Sequence, residues 1–273
     1  MRSLRFLGAD RLPHLGILGG DGVRDLGRAT PDRQRRLLGG GRLPVDGPVV
    51  AVDRWLPPVA ANRIFAVGRN YAAHAGEGGH APPTEPIVWM KLRASAVGHE
   101  SAVVIPAARA GAVDFEGELA VVIGRAGFEV PPDRALELVG GYTVANDVTA
   151  RDLQERMPQW TLAKSLPGFC PLGPVLVTAD EIPDPQALHL TTRVNGEVRQ
   201  SAPTADMLYS VATLVSFLSG LVPLQVGDVI ETGTPAGVGW HAVPRRPLRP
   251  GDVVEITIEP IGTLRTRFVA AAA

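Results

Sequence analysis

The sequence predicts a mainly β protein of the α+β class, on two observations. The 273 residues include 31 Gly and 25 Pro without a collagen-like period, which indicates many turns between short strands rather than long helices. Short apolar, β-branched runs bounded by turn residues recur along the chain, whereas a helical apolar period extends over only one long stretch. With 45% hydrophobic and 20% charged residues, the composition is that of an ordinary globular protein.

Composition and charge also exclude several classes of protein. A formal net charge of −1 without a basic stripe argues against a nucleic-acid partner. The single cysteine, Cys170, excludes an internal disulfide framework and fits a reducing compartment. The first thirty residues lack the apolar segment of a signal peptide, and no run approaches 18 apolar residues. We therefore expect a cytoplasmic protein without a membrane span.

Residues 1–58 are predicted to form a small β-rich N-terminal subdomain. Its predicted elements are two strands, a hairpin and a helix, at residues 1–6, 15–18, 19–26 and 30–38. Thr30 can cap the helix and Pro31 suits its first position. The glycines of the hairpin do not match a dinucleotide fingerprint, because their spacing is wrong and no helix follows. A Pro-rich linker around Trp55 leads to the second domain, residues 59–273.

The second domain is predicted to consist of strands with few helices. The predicted strands are residues 64–68, 87–90, 103–106, 119–123, 141–145, 188–194, 226–230 and 248–258. Asn195-Gly196 is a type I′ hairpin signal. Apolar residues at i, i+3 and i+4 predict a helix over residues 207–218 that lies on the sheet. Shorter helices are predicted at residues 132–138 and 149–156, and a turn-rich loop at residues 169–174.

Two carboxylates in the middle of the chain are candidates for a metal site. Glu116 and Glu118 precede the apolar run of residues 119–123, and residues two apart on a strand point to the same face. Two carboxylates beside an apolar core repel each other, and a hard divalent cation removes that cost. The alternative is an edge strand with both side chains in water.

A third acid favours the metal interpretation. Asp147 follows the strand pattern of residues 141–145, so a short carboxylate at the end of that strand can reach a shared ion. Three carboxylates without a nearby Cys or His favour Mg²⁺, Mn²⁺ or Ca²⁺ over zinc.

Three further features have both a chemical and a structural interpretation. His74 and Glu77 are three residues apart, so on a helix they can form a base and its orienting carboxylate, or they are surface residues of a glycine-flanked segment. Lys164 is a solvated lysine or a cation that faces the acids. The glycine-rich loop of residues 232–239 presents N–H groups to an anion or forms a tight corner.

The order of these motifs resembles the fumarylacetoacetate hydrolase family, in particular its bacterial branch of acylpyruvases and 2-oxo-hept-3-ene-dioate enzymes. The resemblance extends from about residue 64 to residue 268, and the N-terminal piece is similar to the leading subdomain of bacterial members. The motifs are Gly68-Arg69-Asn70-Tyr71 with His74 and Glu77, Asp114-Phe115-Glu116-Gly117-Glu118-Leu119, Asn146-Asp147-Val148-Thr149-Ala150-Arg151-Asp152, Lys164, Val194-Asn195-Gly196-Glu197, and Thr232-Gly233-Thr234-Pro235-Ala236-Gly237-Val238-Gly239.

The resemblance implies a mixed β-roll fold, a homodimer and a catalytic Mg²⁺ or Mn²⁺. It implies three groups of site residues. The metal ligands are Glu116, Glu118 and Asp147; the catalytic residues are His74, Glu77 and Lys164; the substrate-binding residues are Arg69, Tyr71, Arg151, Gln154 and Thr234. The implied substrate is a small 2-oxo or diketo acid.

The sequence departs from the family pattern near the substrate. The family often has Lys-Pro before a Ser, but Lys91 is followed by Leu92 here, and Leu166-Pro167-Gly168 replaces a Phe-Asp-Thr or Phe-Asp-Gly segment after Lys164. These differences leave three functions open. The first is hydrolysis of a C–C bond in an acylpyruvate or β-diketo acid, the second is a lyase or isomerase reaction on a 2-oxo acid, and the third is a catalytically silent dimeric scaffold.

Overall fold

The protein is mainly sheet, as the computed structural model shows for residues 1–41, 43–106 and 110–271. The strands are β1 (Arg2–Leu7), β2 (Pro13–Gly19), β3 (Gly22–Arg28), β4 (Val49–Val50), β5 (Trp55–Leu56), β6 (Ile64–Gly68), β7 (Ile87–Lys91), β8 (Ala96–Val97), β9 (Ala102–Ile105), β10 (Val113–Asp114), β11 (Gly117–Ile123), β12 (Val139–Asn146), β13 (Thr149–Ala150), β14 (Cys170–Thr178), β15 (His189–Val194), β16 (Glu197–Pro203), β17 (Val229–Glu231), β18 (Val253–Ile258) and β19 (Gly262–Ala270). The helices are α1 (Pro31–Leu38), α2 (Ala72–Glu77), α3 (Arg151–Arg156) and α4 (Val211–Leu221), with 3-10 turns at Arg93–Ser95, Ala135–Leu138, Ala179–Glu181 and Thr204–Asp206. The predicted fold class is confirmed.

Strand β11 lies inside the largest sheet, whose order is β4-β3-β2-β1-β14-β12-β11-β17-β6-β7. It pairs antiparallel with β12 and β17, and β17 pairs parallel with β6. Strand β1 pairs antiparallel with β14, so the N-terminal strands extend the same sheet. The division after residue 58 stays a prediction.

A five-stranded sheet, β16-β15-β18-β19-β9, covers β11 and β12. Leu119 and Val144 of the large sheet share one buried cluster with Leu190 and Ile256 of the smaller one. Every residue of β11 and β12 is therefore buried. This explains why the apolar run of residues 119–123 has no polar alternation.

The ends of the helices follow from local side-chain contacts. Helix α1 matches the prediction, because Thr30 Oγ1 accepts a hydrogen bond from the Arg33 N–H at 3.3 Å. The predicted start of α4 at residue 207 is wrong. Met207 pairs with Tyr71 in an isolated β-bridge, and Ser210 caps the helix instead, accepting from the Thr213 N–H at 3.1 Å.

One long strand was predicted as a loop. Strand β14 contains Pro171, Gly173 and Pro174, which are local turn signals. It forms because it pairs with β12 on one side and β1 on the other. Strand β19 was not predicted at all. In the part of the chain that the structure describes, no helix is both long and apolar enough to span a membrane.

Candidate functional site

A cleft of about 440 Å³ brings most of the predicted site residues together. Its polar and aromatic lining residues are Arg69, His74, His80, Trp89, Glu116, Arg151, Gln154, Glu155, Trp160, Lys164, Thr234, Trp240, His241 and Arg245. Glu77, Tyr71, Glu118 and Asp147 do not line it. Glu77 contacts the lining residue His74, and Asp147 contacts the lining residue Lys164.

The three predicted metal ligands form a buried acidic triad. One carboxylate oxygen from each of Glu116, Glu118 and Asp147 lies within 4.8 Å of the other two. The register of β11 and β12 causes this, because Gly117 pairs with Asn146 and so places the ends of the two strands side by side.

The convergence of Glu116 and Glu118 has a different cause from the predicted one. Glu118 is in β11, but Glu116 precedes the strand, which begins at Gly117. The Glu116 N–H donates to Asn146 Oδ1 at 3.0 Å, and the Asp147 N–H donates to the Glu116 carbonyl at 2.9 Å. These two bonds fix Glu116 against Asp147.

The electrostatics of the triad fit a bound divalent cation. Burial, followed by the charges of Asp147, Glu231 and Glu116, raises the pKa of Glu118 well above its ordinary value. Its hydrogen bond from the Gly233 N–H, at 2.7 Å, does not outweigh this. An oxygen-only set of three buried carboxylates is a donor set suited to Mg²⁺ or Mn²⁺, and the cation supplies the missing positive charge.

Two buried lysines hold the acids in place. Lys164 Nζ donates to Glu116 Oε2 at 2.8 Å, to Asp147 Oδ2 at 2.6 Å and to Thr149 Oγ1 at 2.8 Å. Lys91 Nζ donates to Asp147 Oδ1 and to the Phe169 carbonyl. Burial alone would lower the pKa of Lys91, but the charges of Asp147, Glu231 and Cys170 and the hydrogen bond to Asp147 together outweigh burial and raise that pKa. Lys164 therefore faces the acids, as one of its two interpretations proposed.

Arg151 is held in place by three side chains, those of Asp114, Glu116 and Gln154. Its Nε and one terminal nitrogen donate to Asp114 Oδ2 at 3.0 and 2.9 Å, and the other terminal nitrogen lies 2.6 Å from Glu116 Oε1 and 3.0 Å from Gln154 Oε1. Burial would raise the pKa of Glu116, but the charges of Lys164, Arg151 and His74 and the hydrogen bond from Lys164 together outweigh burial and lower that pKa. Arg151 thus orients a triad member, Gln154 helps to hold Arg151, and both line the cleft.

Asp114 is a functional candidate that the sequence reasoning missed. Besides Arg151 it accepts hydrogen bonds from the N–H groups of Gly239 and Trp240, both at 2.9 Å. It therefore ties the glycine-rich loop to the triad. The Asp-x-Glu-x-Glu spacing was a usable signal, because all three acids precede or begin the same buried strand.

His74 and Glu77 form the predicted pair on α2. His74 Nδ1 lies 2.8 Å from Glu77 Oε1, and Glu77 Oε2 accepts from the Gly237 N–H at 3.0 Å. The His74 ring lines the cleft. A histidine whose Nδ1 is held by a carboxylate presents Nε2 for proton transfer.

The side chains of Thr234 and Tyr71 interact with the protein itself rather than projecting freely into the cleft. The Thr234 hydroxyl donates to the Gly117 carbonyl at 2.9 Å and accepts from Gln200 Nε2 at 2.7 Å, so both bonds belong to the scaffold. Tyr71 directly precedes α2 and its side chain is buried; burial, then the charge of Glu118, raises the pKa of its hydroxyl. Their roles towards substrate stay predictions.

A family model described as the C-terminal domain of fumarylacetoacetate (FAA) hydrolase matches residues 63–269, which include every predicted site residue. The chain belongs to this family.

Relatives in the fumarylacetoacetate hydrolase family carry several enzyme names. Oxaloacetate tautomerase YisK of Bacillus subtilis is 45% identical over 213 residues, covering 77% of this chain and 71% of that protein. The structure of a 5-carboxymethyl-2-hydroxymuconate delta-isomerase from Mycobacterium smegmatis superimposes with a TM-score of 0.84 at 38% identity, covering 99% of this chain and 100% of that one. A fumarylpyruvate hydrolase from Pseudomonas aeruginosa, in complex with Mn²⁺ and pyruvate, has a TM-score of 0.70 at 34% identity, covering 81% and 94%.

The aromatic part of the cleft was not predicted. Trp89, Trp160 and Trp240 come from three segments, and none of them follows a local periodic pattern. Trp89 lies in the predicted strand of residues 87–90, but nothing in the sequence connects it with Trp160 or Trp240.

Proposed function

We propose that this chain is a divalent-metal-dependent enzyme that acts on a 2-oxo acid through the enolate of that acid. The observation that carries the proposal is the acidic triad with Lys164 across two of its members, next to an open cleft. An enolate develops negative charge on the C2 oxygen, and Lys164 places a buried cation where that charge forms. A divalent cation held by the three carboxylates supplies Lewis-acid stabilisation when it is bound.

The His74–Glu77 pair favours hydrolysis of a C–C bond as one use of the enolate. His74 Nε2 would take a proton from water while Nδ1–H donates to Glu77. The hydroxide attacks the C4 carbonyl of an acylpyruvate or β-diketo acid. The C3–C4 bond then breaks, and its electron pair enters the enolate of pyruvate, which takes up a proton at C3.

Tautomerisation is the second use, and the relative named oxaloacetate tautomerase favours it. That reaction moves one proton between C3 and the C2 oxygen and needs no attacking water. The same lysine serves it, because the charge again develops on the C2 oxygen.

Two substrates and two variants distinguish these uses. With Mg²⁺, acetylpyruvate hydrolysis should fall about 10²-fold or more in His74→Ala, the usual scale for a general base, and oxaloacetate tautomerisation should fall much less. Lys164→Met should damage both reactions. His189→Ala, which changes an exposed histidine of β15, is the matched control.

The outcomes decide between the uses. Equal loss of both activities in His74→Ala would exclude the water-activating role and favour the tautomerase. Wild-type protein without metal-dependent activity on either substrate would favour the silent scaffold. The implied homodimer stays a prediction, which sedimentation analysis tests.

A further inference from the structure

One wall of the cleft is a continuous series of cations and indole rings. Lys164 Nζ lies 4.9 Å from the ring centroid of Trp89, and the rings of Trp89 and Trp160 meet edge to face at 5.0 Å. Arg69 Cζ lies 5.8 Å from the Trp160 centroid. We call these four side chains the tryptophan wall. The wall runs from Lys164, which contacts the acidic triad, to a second cation, Arg69.

The backbone has space for this wall only because residue 68 is glycine. A Cβ on Gly68 would lie 2.8 Å from Trp89 Cζ3 and 3.0 Å from Trp160 Cζ3, which real contacts do not tolerate without movement. Both rings therefore pack directly on the end of β6. The wall is a built surface rather than a chance approach of exposed side chains.

Arg69 differs from Lys164 and Arg151, the cations that contact the acids, in having no anionic partner. Among the described residues its guanidinium has no hydrogen bond or carboxylate neighbour, and its contact is the Trp160 ring. Its backbone adopts φ of 54°, an unfavourable conformation for a residue with a side chain. The chain thus holds a partly buried cation, without a counter-ion, on the surface of the cleft.

The carboxylates in the described lining of the cleft contact groups other than Arg69. In the described lining they are Glu116, held by Lys164 and Arg151, and Glu155, which accepts from Trp240 Nε1 at 3.0 Å. Lys164 and Arg151 line the same space but are paired with acids, whereas Arg69 and Arg245 have no carboxylate within 4 Å among the described residues. The cleft therefore offers Arg69 and Arg245 to an anionic group of a bound molecule.

We propose that Arg69 binds a second carboxylate at the far end of the substrate, while Trp89 and Trp160 cover the carbon chain between the two ends. Arg69 is then the residue that selects 2-oxo diacids over 2-oxo acids with a neutral tail. A guanidinium suits this task because it can bind a carboxylate through two parallel hydrogen bonds. The inference rests on the proposed function in one respect, namely that the 2-oxo acid end binds at the triad.

A binding experiment without turnover tests this inference. The ligands are 2-oxoglutarate and 2-oxopentanoate, which have the same number of carbons and differ in a terminal carboxylate or methyl group, with oxalate as the head group alone. Binding to the full chain with saturating Mg²⁺ is measured by calorimetry and by tryptophan fluorescence. The variants are Arg69→Met and Arg69→Lys. The matched control is Arg245→Met, which removes another cleft arginine, stacked on Trp240 at 3.7 Å.

The wild-type protein should bind 2-oxoglutarate at least about tenfold more tightly than 2-oxopentanoate, the scale of a charge-assisted hydrogen bond. Arg69→Met should remove this preference and leave oxalate binding within about twofold. Arg69→Lys should restore part of it, because the charge returns without the paired donors. Arg245→Met should weaken all three ligands similarly, in a salt-dependent way, and keep the preference.

Two results would overturn the inference, and they are distinguishable. In the first, oxalate binds but the wild-type protein does not prefer the diacid, or Arg69→Met and Arg245→Met lose that preference equally. The positive charge of the cleft then explains anion binding, and Arg69 does not select the substrate. If oxalate does not bind with Mg²⁺, the proposed function fails and this inference fails with it.

Discussion

Glu77 accepts one hydrogen bond on each carboxylate oxygen, from His74 Nδ1 at 2.8 Å and from the Gly237 N–H at 3.0 Å. The first bond orients the imidazole and the second joins α2 to the glycine-rich loop. That loop is itself tied to the triad through Asp114, which accepts from Gly239. The position of His74 in the cleft therefore depends on a chain of bonds that runs back to the acidic triad.

Glu77→Gln should break this chain at one point. A glutamine has one acceptor oxygen and one amide group, so either His74 or the Gly237 N–H loses its acceptor. We expect kcat for acylpyruvate hydrolysis to fall about 10-fold or more, the scale for removing an orienting partner of a site residue. Steady-state kinetics measures this, with Glu85→Gln as the control because it changes an exposed glutamate. An unchanged kcat would show that Glu77 does not orient His74.

Glu118→Gln should abolish metal binding and leave the fold intact. It replaces a buried carboxylate by a neutral amide of the same shape, so packing is preserved. We expect Mn²⁺ affinity to fall by more than roughly 100-fold, beyond the scale for outer partners of a metal site. Glu231→Gln is the control, because Glu231 is also buried, on the neighbouring strand β17, but lies outside the triad. Calorimetry that finds equal Mn²⁺ affinity in Glu118→Gln and wild type would exclude Glu118 as a ligand.

Stability without metal should fall as pH rises from 7.0 to 8.5. Burial raises the pKa of Glu118 well above its ordinary value and that of Glu231 to about 7. The native state then retains protons that the unfolded chain has already released, so the free energy of unfolding decreases with pH. The slope is at most about 1.4 kcal/mol per pH unit for each retained proton. Below pH 7 the lowered pKa of His241, caused by burial and then by Arg151, acts in the opposite direction.

Urea denaturation at pH 7.0 and 8.5, with and without Mg²⁺, checks this prediction. Saturating Mg²⁺ should reduce the decline, because the cation takes the place of the proton on Glu118. A stability that increases over this range in metal-free protein would contradict the raised pKa values.

The elements of the fold that could be predicted are those whose structure is determined by residues close together in the sequence. The run of residues 119–123 and the Asn195-Gly196 turn carry their own signals, and both elements are present. The triad was predicted for a partly wrong reason: Asp147 does follow an evident strand, but Glu116 lies outside β11 and is placed by its bonds to Asn146 and Asp147, not by a shared strand face with Glu118. The missed parts depend on pairing between distant segments. Strand β14 overrides the turn signals of Pro171 and Gly173 by pairing with β1 and β12.

The missed site residues have the same physical cause. Lys91 meets Asp147 across 56 residues, and Trp89 meets Trp160 only because β7 and the segment before Lys164 pack on the same glycine. No spacing rule connects such residues, because their contact is set by the sheet order and not by a helical or strand period.

Lys91→Met should lower the free energy of unfolding substantially, although Lys91 does not line the cleft. Asp147 has one lysine on each oxygen, and this variant leaves Oδ1 and the Phe169 carbonyl buried without a donor. Removing one partner of a buried ion pair costs about 3–5 kcal/mol. Chemical denaturation measures the loss, and Arg93→Met is the control because it removes an exposed cation two residues away. A loss below about 1 kcal/mol would mean that Asp147 finds another donor.

Gly68→Ala should disturb the aromatic wall of the cleft without touching the triad. The new Cβ would lie 2.8 Å from Trp89 Cζ3 and 3.0 Å from Trp160 Cζ3, so at least one indole ring has to move. Overpacking of this kind costs about 1–3 kcal/mol. Gly76→Ala is the control, since a Cβ there meets nothing within 4 Å. An alanine in α2 should raise the free energy of unfolding by about 0.5–1 kcal/mol. In Gly68→Ala we expect the wavelength of maximum tryptophan emission to shift and KM to rise for substrates with a carbon chain beyond the 2-oxo acid group. The Mn²⁺ affinity of this variant should match that of wild type. If emission, KM and the unfolding midpoint all match wild type, the rings do not pack on Gly68 and the wall is not rigid.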